Sequence, residues 1–290
     1  MMEFTAIEGL ILSLGESPVW DERRGQVFLC DITNNRVIAL KLDGEIVGDW
    51  TFEANVGSLG LCESGRLVIA LAREVILFDP ETGERRTLVR LKGEIDTNRF
   101  NDGKVGPDGC FWVGTMDQRT DREPIGALYR VSADGRIVKK KTGMFTSNGL
   151  AWSSDGRTMF HTDSAGKWLD RHEFDAATGE IGEGVRIAHP DEEMGRPDGG
   201  ACDADGFYWS AGVSAARLNR YDRDGKIVAQ YPVPASAPTM PCFCGPDLRT
   251  MLVTSHRLNA ARLAEYPLSG GVFLARAPAA GAPVSRMKGL

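Results

Sequence analysis

No Cys-x-x-Cys pair, no His-Glu-x-x-His, no Gly-x-Ser-x-Gly and no glycine-rich phosphate loop occurs in these 290 residues. Those absences set aside zinc-finger, zincin, nucleophile-elbow and P-loop chemistry. Long apolar runs are missing too. The first residues carry Glu3 and Glu8 around a short Leu10-Ile11-Leu12 run, which is neither a signal peptide nor a membrane span. A cytoplasmic protein with no membrane partner is the expectation. Base is not in excess: Lys and Arg number 34 against 40 Asp and Glu, for a net charge of −6. A groove for nucleic acid needs clustered cations, so none is expected as a partner. No segment repeats its apolar residues with a long period of 3.6, which argues against helical and βαβ folds.

What the chain does have is a recurring phrase. A short apolar strand leads into an Asp-rich turn ending in Gly, and a second strand rich in aromatic and β-branched residues follows. Clear copies are Asn101–Gly109, Asn148–Gly156 and Asp198–Gly206. Counting back eight residues from each turn glycine gives Gly57, Asn101, Asn148 and Asp198. A longer first copy gives Glu16, and a degenerate last one gives Met240. Successive spacings are 41, 44, 47, 50 and 42 residues, the length of four strands with their turns. That is the period of a β-propeller blade. The expected fold is all-β, one six-bladed β-propeller over residues 1–290, with Glu3–Ile7 closing the last blade beside Gly271–Ala275. Two β-sandwich domains would need a linker, and no Pro/Gly/Ser-rich stretch interrupts the spacing. The six scattered cysteines are read as buried and reduced, and the Cys242-x-Cys244 pair as strand packing.

Equivalent positions in six blades converge at one mouth of the central channel. Here they read Glu16, Gly57, Asn101, Asn148, Asp198 and Met240, with Gly57 leaving its side open. Crowded carboxylates raise one another's pKa unless a cation neutralises them. Oxygen donors of this kind suit one divalent metal ion, and Ca²⁺, Mg²⁺, Mn²⁺, Zn²⁺ and Fe²⁺ all remain candidates. Arg99, two residues before Asn101, is placed at the same mouth, where a guanidinium can hold an oxygen or a developing oxyanion. His161 and His256, near the ends of second strands, are read as structural.

The motifs Gly15-Glu-Ser-Pro-Val-Trp20, Asn98-Arg-Phe-Asn-Asp-Gly-Lys104, Gly114-Thr-Met116, Ser147-Asn-Gly-Leu150, Arg196-Pro-Asp-Gly199 and Pro241-Cys-Phe243 stand in family order. They make the chain resemble the senescence-marker-protein/gluconolactonase/luciferin-regenerating-enzyme family of six-bladed propellers. The Glu265–Phe273 stretch looks most like the bacterial aldonolactonases. The resemblance implies a divalent metal on Glu16, Asn148 and Asp198, with substrate at Arg99 and Asn101. In the regucalcin branch a Glu that contacts substrate follows Gly-Thr-Met; Arg119 occupies that place here and is carried as a substrate-contact candidate.

The implied activity is hydrolysis of a pentonic or hexonic sugar lactone to its acid. Asp198 is both metal ligand and general base in that reading, and the protein works as a monomer or weak homodimer. An esterase or phosphotriesterase on the same propeller, or a non-catalytic metal-binding protein, stays open as an alternative.

Overall fold

A computed structural model describes residues 2–257 and 260–290. Six small sheets follow one another around the ring, and the strands of each pair antiparallel apart from one short parallel addition to the second. The innermost strands are Gly15–Asp21, Val56–Cys62, Asn98–Val105, Ser147–Trp152, Pro197–Cys202 and Pro238–Cys244. Outward from the first of these run Gln26–Asp31, Arg36–Leu40 and Ile46–Thr51, and the other blades repeat the pattern. The fold is a six-bladed β-propeller. Each residue of the ring deduced from the repeat lies on, and near the start of, one of the innermost strands.

The turn glycines explain why the phrase recurs. Gly109 and Gly206 sit at φ 75° and 88°, in the left-handed region where a side chain is strained. A tight return between the first two strands of a blade needs that conformation.

Packing closes the circle. Six buried apolar clusters were found among the described residues, one at each junction between neighbouring blades. Phe28 and Val37 of the first blade meet Leu59 and Phe78 of the second, and Cys242 and Leu252 of the last meet Trp20 and Leu29 of the first. Strand Thr5–Ile11 completes the last sheet by pairing with Gly271–Arg276, with Thr5 opposite Leu274 and Ala6 opposite Phe273. The expected closure by the N-terminal strand is therefore present, and pairing this first strand with a late one shields an edge. All six cysteines are free and buried.

The C-terminal residues cross the far end of the channel. Ala282 N–H donates to Cys202 O at 2.9 Å and Lys288 N–H to Gly109 O at 3.0 Å. Arg286–Met287 adds in parallel to Val56–Cys62. Arg286 also binds Asp21 at 2.6 Å and Glu22 at 2.8 Å. No helix among the described residues is long and apolar enough to cross a membrane.

One irregularity recurs in every blade. The pairing register slips in all six innermost strands: between Glu16 and Val19, Val56 and Ser58, Phe100 and Gly103, Asn148 and Ala151, Pro197 and Gly200, and Pro238 and Met240. A bulge interrupts the alternation of side chains and re-aims those beside it. These bulges lie at or beside the ring residues, so they set which side chains enter the channel mouth.

Candidate functional site

Glu16, Asn101, Asn148 and Asp198 line one cavity of about 160 Å³, with Arg99 and Gly57 in its wall. Met240 is the exception: it is fully buried and packs against Gly199. The last blade reaches the cavity instead through His256, a residue expected to be structural. Burial, followed by the nearby Arg196 charge, holds the His256 imidazole below its ordinary range. His161 does not line the cavity; it is buried, with Nε2 2.8 Å from Ser147 Oγ.

Local backbone fixes each donor. Ser17 sits at φ 50° in the first bulge, and its N–H donates to Glu16 Oε2 at 3.0 Å. Its hydroxyl accepts Leu59 N–H at 2.9 Å, tying the first blade to the second. Asn101 Nδ2 donates to Ser147 O at 3.0 Å, which links the third and fourth blades. Asn148 Nδ2 donates to Ser164 Oγ at 2.9 Å and also to Asp198 Oδ1. The side at Gly57 is not left open as expected. A Cβ there would lie 2.8 Å from Phe100 O and 3.0 Å from Asn101 O, so neighbouring main chain fills the place of a side chain.

Burial dominates the electrostatics of the cavity's acids. Burial first, then the charges of Asp198 and Asp102, push the Glu16 carboxyl well up from its ordinary value. Burial likewise raises Asp198, against the pull of Arg196. Buried carboxylates in this state are paired or hold metal. Asn148 Oδ1 is buried and accepts no hydrogen bond. Two carboxylates and an unsatisfied amide oxygen form a donor set suited to a hard divalent cation. No group of three His, Cys, Asp or Glu side chains able to hold a metal occurs among the described residues; the third donor of this set is an amide.

Arg99 is buried, and desolvation, helped by the Arg122 charge, draws its guanidinium down to about 10. One of its terminal nitrogens, Nη1, donates to Phe100 O at 2.8 Å and to Asn101 Oδ1 at 3.1 Å. Arg119 is placed elsewhere. Its guanidinium binds Asp117 at 2.8 Å and Glu123 at 2.9 Å, and it is not in the cavity wall. The same loop presents Arg122 there.

Asp102, Arg122, Arg196 and Ser164 also line the cavity and were not singled out from the sequence. Strand alternation would send Asp102 away from Asn101, but the bulge between Phe100 and Gly103 turns both inward. Asp102 Oδ2 accepts Leu150 N–H at 3.0 Å, while its Oδ1 is buried without a partner.

A larger cavity of about 260 Å³ opens three to four residues further along the same strands, beside Val19, Val105, Cys202 and Phe243. It therefore lies at the opposite end of the channel. Neither Glu16 nor Asp198 lines it, so the chemistry belongs to the smaller one.

The model of the SMP-30/gluconolactonase/LRE-like region matches residues 14–257. The chain belongs to this family. A 6-deoxy-6-sulfogluconolactonase from Pseudomonas putida is 37% identical over 91% of both chains. A regucalcin from Xenopus laevis is 33% identical over 90% of this chain and 89% of its own. Among solved structures, a calcium-binding protein, regucalcin, from Agrobacterium tumefaciens superposes with a TM-score of 0.91 at 28% identity, covering 100% and 98% of the two chains.

Proposed function

We propose that this family member hydrolyses a sugar lactone to the corresponding aldonic acid, with a divalent cation held by Glu16, Asn148 and Asp198. The observation that carries the reading is one cavity holding two buried, raised carboxyls, an orphaned amide oxygen, and the donors Arg99 and Asn101. The lactonase named among its relatives, aligned over nine tenths of both chains, supports the reaction type. When bound, the cation supplies Lewis acidity to the lactone carbonyl oxygen.

The chain's own groups do the rest. Asp198, whose carboxylate would be ionised when it holds the cation, is suited to take a proton from water as that water's oxygen bonds to the acyl carbon. Arg99 Nε and Nη2, which donate to no described residue, face the developing oxyanion. The acyl–oxygen bond of the ring then breaks, and Asp198 returns its proton to the departing ring oxygen. Asn101, anchored on Ser147 O, orients a hydroxyl of the substrate. The free, buried cysteines suit a reducing compartment, and we place the protein in the cytoplasm.

A pH-stat screen of pentono- and hexonolactones tests this, using chelator-stripped and reconstituted protein. Acid release that returns with the cation is expected. Asp198→Asn should keep the fold and lose at least about a hundredfold in kcat, the lower end for a general base. Full turnover by stripped protein, or by Asp198→Asn, would reject the reading. Turnover of aryl esters or phosphotriesters in place of lactones would replace the substrate class.

A further inference from the structure

Arg99, Arg122 and Arg196 converge on the one cavity from three places in the chain. None of them is in an ion pair among the described residues. Arg99 binds a backbone carbonyl and an amide oxygen. Arg122 Nε donates to Asp117 O at 3.0 Å. Arg196 Nε is buried and has no partner. The acids nearby are already engaged. Asp117 and Glu123 bind Arg119, Glu192 binds Lys167 at 3.1 Å, and Asp198 accepts from Asn148.

Like charges gathered in a cavity repel, and Arg122 acts on Arg99 in that sense. A cation on Glu16 and Asp198 would cancel those two carboxylates, and Lys104 opposes the charge of Asp102. Three guanidinium charges are then left unbalanced. A neutral sugar lactone needs donors but offers no counter-charge. An anionic ligand supplies one, with paired oxygens that the planar fork of a guanidinium binds bidentately.

We propose that the lactone taken by this site carries a second, anionic group, a carboxylate or sulfonate, at the end of its carbon chain away from the carbonyl. Arg122 and Arg196 bind that group, while the buried Arg99 serves the carbonyl side. The inference rests on the lactonase reading of the same site and narrows its substrate.

Three substrates test it: neutral D-glucono-1,5-lactone, D-glucaro-1,4-lactone with a second carboxylate, and 6-deoxy-6-sulfogluconolactone. At least one acidic lactone should exceed the neutral one in kcat/KM by about tenfold or more, the worth of a charge-assisted hydrogen bond. Arg122→Gln and Arg196→Gln should each raise its KM about 10- to 100-fold, at least about tenfold more than they raise that for the neutral lactone. Calorimetry adds a readout without turnover: D-glucarate should bind more tightly than D-gluconate, and the two variants should erase the difference. Whichever acidic lactone is preferred identifies the anion. Equal use of neutral and acidic lactones, with both variants affecting them alike, overturns the inference and leaves the lactonase reading standing. No turnover of any lactone, with glucarate still preferred through the arginines, removes the lactonase reading and keeps the anion site. Neither turnover nor preference ends both.

Discussion

Glu16 and Asp198 stand on the innermost strands of the first and fifth blades, yet the charge of Asp198 is, after burial, the largest force raising the Glu16 carboxyl above its ordinary range. A carboxyl that ionises less readily in the folded chain than in the unfolded one has a fixed sign. Its contribution favours the fold below the ordinary carboxylate range of about 4 to 4.5. That contribution is lost as the pH climbs through the raised value. In chelator-treated protein, Glu16→Gln should therefore melt above wild type at pH 8.5, and the gap should close toward pH 5. A gap of equal size at both values would show that Glu16 is not strained.

The same proton couples to the cation. Binding must displace it, so affinity should rise by about tenfold per pH unit for each proton released. Calorimetry with Ca²⁺ and Mn²⁺ between pH 5.5 and 8 measures the slope. Asn148→Ala removes the orphaned amide oxygen and the donor to Asp198. It should weaken the cation by at least about 10- to 100-fold, the range seen when even an outer partner of a ligand is lost. Flat affinity across pH, or unchanged affinity in Asn148→Ala, would separate this ring from metal binding.

How much of this was legible in the sequence depended on period. The blade repeat survives as turn glycines at fixed distances from the ring, because only a left-handed turn joins the first two strands. Counting therefore found the fold and placed Glu16, Asn101, Asn148 and Asp198 at equivalent positions. The bulges were not legible, since a slipped register leaves no composition mark. Asp102 was thus passed over and Met240 misplaced: one turns into the cavity and the other out of it. Nor could counting separate Arg119 from Arg122, whose difference lies in which acids of their loop each one meets.

Tyr208 shows how far behind the ring its support extends. Its hydroxyl donates to Gly149 O at 2.9 Å, inside the bulge that follows Asn148 and where the backbone sits at φ 63°. The Tyr208 ring stacks on Phe160 at 4.9 Å. Tyr208→Phe preserves the stacking and leaves a buried carbonyl without its donor, a loss of about 1–3 kcal/mol. Thermal unfolding measures that loss. Because the bulge aims Asn148, cation affinity should fall as well, whereas a purely structural role would lower only the melting temperature.

Gly57 tests whether close contact between blades positions the substrate side. A methyl group at this residue would meet main chain, Phe100 O at 2.8 Å and Asn101 O at 3.0 Å, and no flexible side-chain end that could move aside. The third blade's strand must then shift outward, taking Arg99 and Asn101 with it, while Glu16, Asn148 and Asp198 stand on other strands. Gly57→Ala should destabilise the fold by about 1–3 kcal/mol, as overpacking does. It should also raise KM for the lactone, and it should leave cation affinity within about threefold. Calorimetry and steady-state kinetics on the one variant separate these effects. A loss of cation affinity matching the loss of substrate binding would mean that the ring moves as one unit, and the division between metal-holding and substrate-holding strands would fall.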